Sequence, residues 1–252
     1  MKNIIQFFFR LGSPQWFYKS TTYLVPVFAV LSLGLLSWGM VEGLLFAPMD
    51  RIQGNSYRII YIHVPASFVA LSCYYMMAFL AAVSLIWRTK MAEVVLRCCA
   101  IVGASMTFIS LVTGAIWGKP TWGTWWVWDA RVTSMFVLFF IYMGIYALSK
   151  AYEREDLGSK AAAVLALVGT VNIPIVYWSV DWWFALHQGA TLKLTEKSAI
   201  DSSMLFPLLV MIAGTYCFYV LLILLHARAE VLRIDQRKQW VKALLARSSM
   251  SR

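Results

Sequence analysis

Charge is what this chain has least of. Only 13% of its residues are Asp, Glu, Lys or Arg, about half the share a water-exposed domain carries. That shortage argues against an ordinary soluble fold, because too little polar surface exists to cover one. Cysteine is limited to Cys73, Cys98, Cys99 and Cys217, all within or beside apolar runs and with no C-x-x-C pair. A disulfide scaffold, a thiol redox pair and a thiolate zinc site therefore have no support, and the four read as small buried hydrophobes. No small-residue cleavage site follows the short phenylalanine run near the N-terminus, so a removed signal peptide is not expected. Gly118-Lys119 fails the spacing of a phosphate loop, since position 113 is Thr and Pro120 follows the lysine.

What is present in excess is hydrocarbon. Hydrophobic residues make up 61% of the chain. A helix needs about 20 mainly apolar residues to cross a bilayer, and six stretches qualify: 22–46, 59–87, 97–117, 132–150, 161–180 and 203–226. The expected fold is an all-α membrane protein, one integral domain over 1–252 built as a six-transmembrane-helix bundle. Sixteen of the 22 basic residues fall on the side that holds both termini, and only Arg51, Arg58, Lys119, Arg131, Lys193 and Lys197 on the other. The net charge of +10 thus marks topology rather than a nucleic-acid surface. By the positive-inside rule both termini are cytoplasmic. In a bacterium this is a multi-pass inner-membrane protein whose segments 47–58, 117–134 and 181–202 face the periplasm. The stretch from His226 to Arg247 continues at helical period and is expected to lie near the anionic cytoplasmic leaflet.

Residues 117–134 read WGKPTWGTWWVWDARVTS, with Trp117, Trp122, Trp125, Trp126 and Trp128 inside twelve positions. An aromatic belt at the headgroup level is the plain explanation, yet belts scatter one or two aromatics per helix end. Gly118, Pro120 and Gly123 punctuate the segment, so the expectation is a short helix or turn along the outer surface, with Trp122, Trp125 and Trp126 on one face. Indole faces bury much area at little entropic cost and stack on conjugated rings. Lys119 and Arg131 are suited to acidic groups on a ligand's polar edge, and Asp129 to orienting Arg131 or an indole N–H. A porphyrin with two propionates meets that description. On the tryptophans alone, a quinone headgroup or a flat lipid does too.

The three histidines narrow the choice. His63, near the outer end of the second span, and His187, after the fifth, share one depth on either side of the tryptophan segment. Ionisable groups in membrane spans are costly and point to function, and imidazole is a common axial ligand of haem iron. Two imidazoles on opposite faces of a ring whose edge rests on indole form a coherent site, with Trp182, Trp183 and Phe184 beside His187 to close one face. His226 has no such company.

The segment WGKPTWGTWWVWDARVTS resembles the tryptophan-rich, or WWD, signature of the haem-handling membrane proteins of cytochrome c maturation. Six spans, this length and one flanking histidine on each side are similar to the haem exporter protein C (CcmC) branch. Val132 stands where that signature more often has leucine, a change of packing only. The resemblance implies that the chain is not an enzyme but binds haem b as cargo at the periplasmic face and delivers it to the haem chaperone CcmE. It implies further partners: the ABC transporter subunits CcmA and CcmB, and the small membrane protein CcmD. Carried onto this sequence, it makes His63 and His187 the axial iron ligands. Trp117, Trp122, Trp125, Trp126, Trp128, Asp129 and Arg131 then form the haem-edge and chaperone-contact platform. Two other classes stay open: a transporter moving haem through the bundle, and a haem lyase or quinone-linked membrane enzyme. The sparse mid-span polar residues (Ser72, Ser84, Ser105, Thr107, Ser110 and Asn172) argue against the first. The lack of paired cysteines and of further histidines argues against the second.

Overall fold

A computed structural model describes residues 12–183, 185–187 and 200–250, with side chains as far as 246. Helix α1 (Pro14–Thr21) opens at Ser13, whose hydroxyl accepts the N–H of Trp16, with Pro14 at the first helical position. Helix α2 (Leu24–Val41) continues into a π turn (Glu42–Phe46). There Arg58 donates to the carbonyls of Leu44 and Ala47, which answers acceptors that a helix end leaves open. A 3-10 turn (Asn55–Ile59) leads into α3 (Ile60–Trp87). Arg88, at φ 51°, and Thr89 are the whole link to α4 (Lys90–Trp122). Then come α5 (Ala130–Lys150), a composite fifth span of α6 (Glu155–Val168), a 3-10 turn (Gly169–Val171) and α7 (Asn172–Trp182), and finally α8 (Ser202–Ile234) and α9 (Gln239–Met250). Six segments are long and apolar enough to cross a membrane, and among the described residues there is no strand.

Several helices run past the ends expected from hydropathy. The third span begins at Lys90, not 97, and ends at Trp122, not 117. Both α4 and α8 have 33 residues, or about 50 Å at 1.5 Å per residue, against a hydrocarbon layer of about 30 Å. Their ends therefore stand clear of the apolar zone. The C-terminal stretch is not one helix: it breaks at Asp235, where Lys238 N–H donates to the Asp235 carbonyl at 2.8 Å, before α9 starts.

The core lies between α3, α4, α5 and α6. Val69, Cys73, Tyr74 and Met77 interleave with Leu96, Cys99, Ala100, Leu138, Tyr142, Ala162 and Ala166. Tyr142 lies against Gly103, where any Cβ would collide with its ring, and its hydroxyl donates to the Ala70 carbonyl at 2.7 Å. Tyr74 donates to the Ala166 carbonyl at 3.0 Å. These bonds satisfy phenols in an interior where an unpaired one is costly. Helix α2 packs along α8 through Gly39 against Met211 and Gly214 against Leu35 and Leu36, small residues that permit close approach. Its Val27, Val30 and Leu33 are exposed, as lipid-facing side chains are.

The first helix and the last two meet at one end of the bundle. Arg228 donates to the Tyr18 carbonyl and the Thr21 hydroxyl and lies 3.9 Å over the Tyr18 ring. Trp240 of α9 also packs on Tyr18, with ring centroids 5.7 Å apart. Deeper in, buried Arg97 donates to Ser159 at 2.8 Å and to Glu230 at 3.2 Å, tying α4 to α6 and α8. The opposite end carries the tryptophan segment.

Candidate functional site

The tryptophan segment is mostly helix, contrary to the sequence expectation. Helix α4 runs through Gly118 and Pro120 and stops only at Gly123, whose φ of 79° suits glycine. Trp122 folds back over Gly118, where a side chain would press on its ring. The connection is then short, and α5 starts after Asp129, whose Oδ1 accepts the Val132 N–H at 2.8 Å. This is an N-cap, a role that the Asp-x-Arg spelling left unread. Trp122, Trp125 and Trp126 therefore do not share a helical face. Lys119 is occupied at the C-terminus of α4, where its Nζ donates to the Gly123 carbonyl at 3.0 Å.

The segment divides into two aromatic groups. Trp117 and Trp122, at the end of α4, join the histidines: the His63 and Trp117 rings meet edge-on at 5.7 Å, and the Trp122 and His187 centroids are 6.1 Å apart. The His63 and His187 centroids lie 6.4 Å apart with an interplanar angle of 36°. Trp126 and Trp128 instead pack with Phe136 on α5. Trp128 is 71% exposed and Trp125 57%, far more than aromatic side chains held only for core packing. Trp178 and Trp182 stack, and Trp183 meets Trp182 edge-on. Phe184 lies outside the described residues. His226 sits exposed on α8, on the stretch that runs toward the terminal end.

Three buried polar atoms in the segment have no hydrogen-bond partner among the described residues: Trp126 Nε1, Asp129 Oδ2 and Arg131 Nη1. Asp129 and Arg131 form no direct ion pair among the described residues. Arg131 does sit within electrostatic reach of Asp129, of Asp181 and of His63. Unsatisfied buried groups cost stability, and three within six positions of one segment suit a polar guest.

Sequence reasoning passed over the supports beneath these rings. The Trp117 indole donates to Gln53 Oε1 at 2.6 Å. Gln53 is itself held by a turn in which Asp50 Oδ1 accepts the N–H groups of Ile52 and Gln53. His63 Nδ1 lies 3.1 Å from Thr113 Oγ1, and Gly114 leaves room for the imidazole against α4. One turn further in, the Ser67 and Ser110 hydroxyls meet at 2.6 Å. Ser110, Thr113, Gly114 and Trp117 follow i, i+3, i+4, i+7 spacing, one helical face. That periodicity of small and polar residues was the available signal.

Two imidazoles alone are a poor cage for a bare ion, and among the described residues no three His, Cys, Asp or Glu side chains could hold one. They suit a metal that brings its own equatorial ligands.

Comparison with known sequences decides the family. The profile of the family described as "Heme exporter protein C" (CcmC) matches residues 7–242. The chain belongs to the heme exporter protein C family. It is 48% identical to the heme exporter protein C of Haemophilus influenzae over 233 residues, 92% of this chain and 95% of that protein. It is 44% identical to the one of Escherichia coli K12 over 236 residues, 94% and 95% of the two chains. The heme exporter protein C of Rhodobacter capsulatus is 36% identical over 241 residues, 95% and 98%. With six apolar helices, membership makes this a multi-pass membrane protein of haem handling.

Proposed function

We propose that the chain holds haem b as cargo at the tryptophan end of the bundle and delivers it to the chaperone CcmE, without a chemical reaction of its own. His63 and His187 are the axial ligands. The observation that carries the reading is their 6.4 Å centroid separation, flanked by Trp117 and Trp122. Arg131, with Nη1 unpartnered, binds a propionate by a charge-assisted bond. Exposed Trp125 and Trp128 form the surface shared with the chaperone. The excess of basic residues on the terminal end supports cytoplasmic termini and a haem site on the periplasmic face of the inner membrane. CcmA, CcmB and CcmD are the partners that the family resemblance adds.

Passage of haem through the bundle has less support. Several mid-span hydroxyls bond back to their own helices, as Thr107 does to the Gly103 carbonyl at 2.7 Å and Ser105 to Ile101 at 3.0 Å. Apolar side chains fill the space between. Paired axial bonds hold a cargo that must also leave, since each bond can be replaced in turn by a ligand from the acceptor. Replacing His63 or His187 with Ala should remove bis-imidazole absorption from the purified protein and lower holo-chaperone levels in cells. Unaltered spectra together with normal loading in both variants would refute the ligand assignment.

A further inference from the structure

The hydroxyl of Thr113 is not a free agent. It donates to the carbonyl of Ile109, one turn back on α4, at 2.7 Å, with the Ser110 carbonyl at 3.2 Å as a second acceptor. A threonine hydroxyl has one proton to give. With that proton committed, Oγ1 can only accept at its 3.1 Å contact with His63 Nδ1. That contact therefore requires Nδ1 to carry the proton, which leaves the Nε2 lone pair for a metal.

The imidazole is held in place as well as in tautomer. Gly114 admits it: a Cβ there would lie 3.1 Å from His63 Cε1 and 3.5 Å from Nδ1. The Trp117 indole also meets the ring edge-on at 5.7 Å, itself tethered to Gln53. Below, Ser67 donates to the His63 carbonyl at 2.8 Å within α3 while meeting Ser110 of α4 at 2.6 Å. A slip of α3 against α4 by a turn would therefore lose the Ser67–Ser110 bond and the contacts of His63 with Thr113 and Gly114. We infer that Thr113 is a positioning residue for haem binding: its back-bonded hydroxyl fixes His63 as the Nδ1–H tautomer and directs Nε2 at the iron. The inference rests on the proposed axial role of His63. It adds to that role a named partner, and such partners of metal-bound histidines both orient the ring and raise its basicity.

Two measurements separate the inference from the reading beneath it. The first needs no haem. In the haem-free full chain, nitrogen-15 magnetic resonance of labelled histidine, with the His63 signals assigned by their loss in His63→Asn, should show Nδ1 protonated and Nε2 bare. The opposite tautomer overturns the inference whatever the site binds. The second uses the haem-loaded chain. Thr113→Val keeps the shape and removes the acceptor, so a less basic imidazole should shift the haem midpoint potential to a more positive value and weaken haem binding by about 10-fold or more. Thr113→Ser keeps the acceptor and should restore both. A wild-type potential and affinity in Thr113→Val defeat the inference while leaving axial ligation intact. Wild-type protein that binds no haem defeats the reading of the site instead, and the tautomer measurement still decides the role of Thr113.

Discussion

The two ends of this bundle are built on different terms. At the terminal end polar groups answer one another: Arg97 reaches Ser159 and Glu230, and Arg233 bridges Glu230 and Glu155 at 2.8 and 2.9 Å. Arg228 closes on α1, and Trp240 Nε1 finds Asp235 at 3.1 Å. At the tryptophan end Trp126 Nε1, Asp129 Oδ2 and Arg131 Nη1 are buried without partners among the described residues, and Trp125 and Trp128 stand largely in the open. The first end closes the fold on itself. The second holds rings and polar atoms in reserve, at a cost that the rest of the fold offsets. Unpaired buried atoms are not confined to that end, since Thr89 Oγ1 and Arg97 Nε also lack partners among the described residues. The difference teaches that the guest belongs where such atoms lie beside exposed indoles and a pair of imidazoles.

Breaking each end should give different symptoms. The largest loss of stability belongs to the terminal end. Glu230→Ala leaves Arg97, with side-chain exposure of 7%, without its carboxylate in the bundle, and removal of one partner of a buried pair costs about 3 kcal/mol or more. The unfolding midpoint in detergent should fall markedly, while the molecules still folded keep the haem spectrum. Next comes Arg131→Gln. It should weaken haem binding by about 1.5–3 kcal/mol, the range for a hydrogen bond to a charged group, with little change in unfolding; a titration of haem into the purified chain reads it. The smallest effect on the fold is expected from Trp125→Ala, within about 0.5 kcal/mol for an exposed side chain. Chaperone loading should nonetheless drop. Should Trp125→Ala unfold the protein and Glu230→Ala leave stability untouched, the contrast between the ends is wrong.

Much of this was legible in the sequence, for physical reasons that differ by element. Hydropathy located the helices because a bilayer demands long apolar runs, and the count of six followed. The burial of Cys73, Cys98 and Cys99 followed from their apolar neighbours. The helix ends were less legible. Gly118 and Pro120 read as breakers, yet a proline in a final turn forfeits one backbone bond at a place where the helix is already running out of them. Trp122 packing on Gly118 holds that turn. Arg97 read as a boundary charge because its partner Glu230 is 133 positions away, and no local pattern reveals an ion pair closed by two other helices. The link from Thr113 to His63 was hidden likewise: each residue was visible, but their meeting depends on the register of α3 against α4. The shared depth of His63 and His187 was readable from span ends, whereas the separation of Trp126 and Trp128 from them was not.

The central claim is that both imidazoles grip one iron. Near-infrared magnetic circular dichroism of the purified, haem-loaded chain reads the axial pair directly. The account predicts a six-coordinate, low-spin ferric haem with two imidazole ligands, an assignment lost in either His63→Ala or His187→Ala. A five-coordinate haem in the wild-type chain, or an axial pair that survives removal of both histidines, would contradict it.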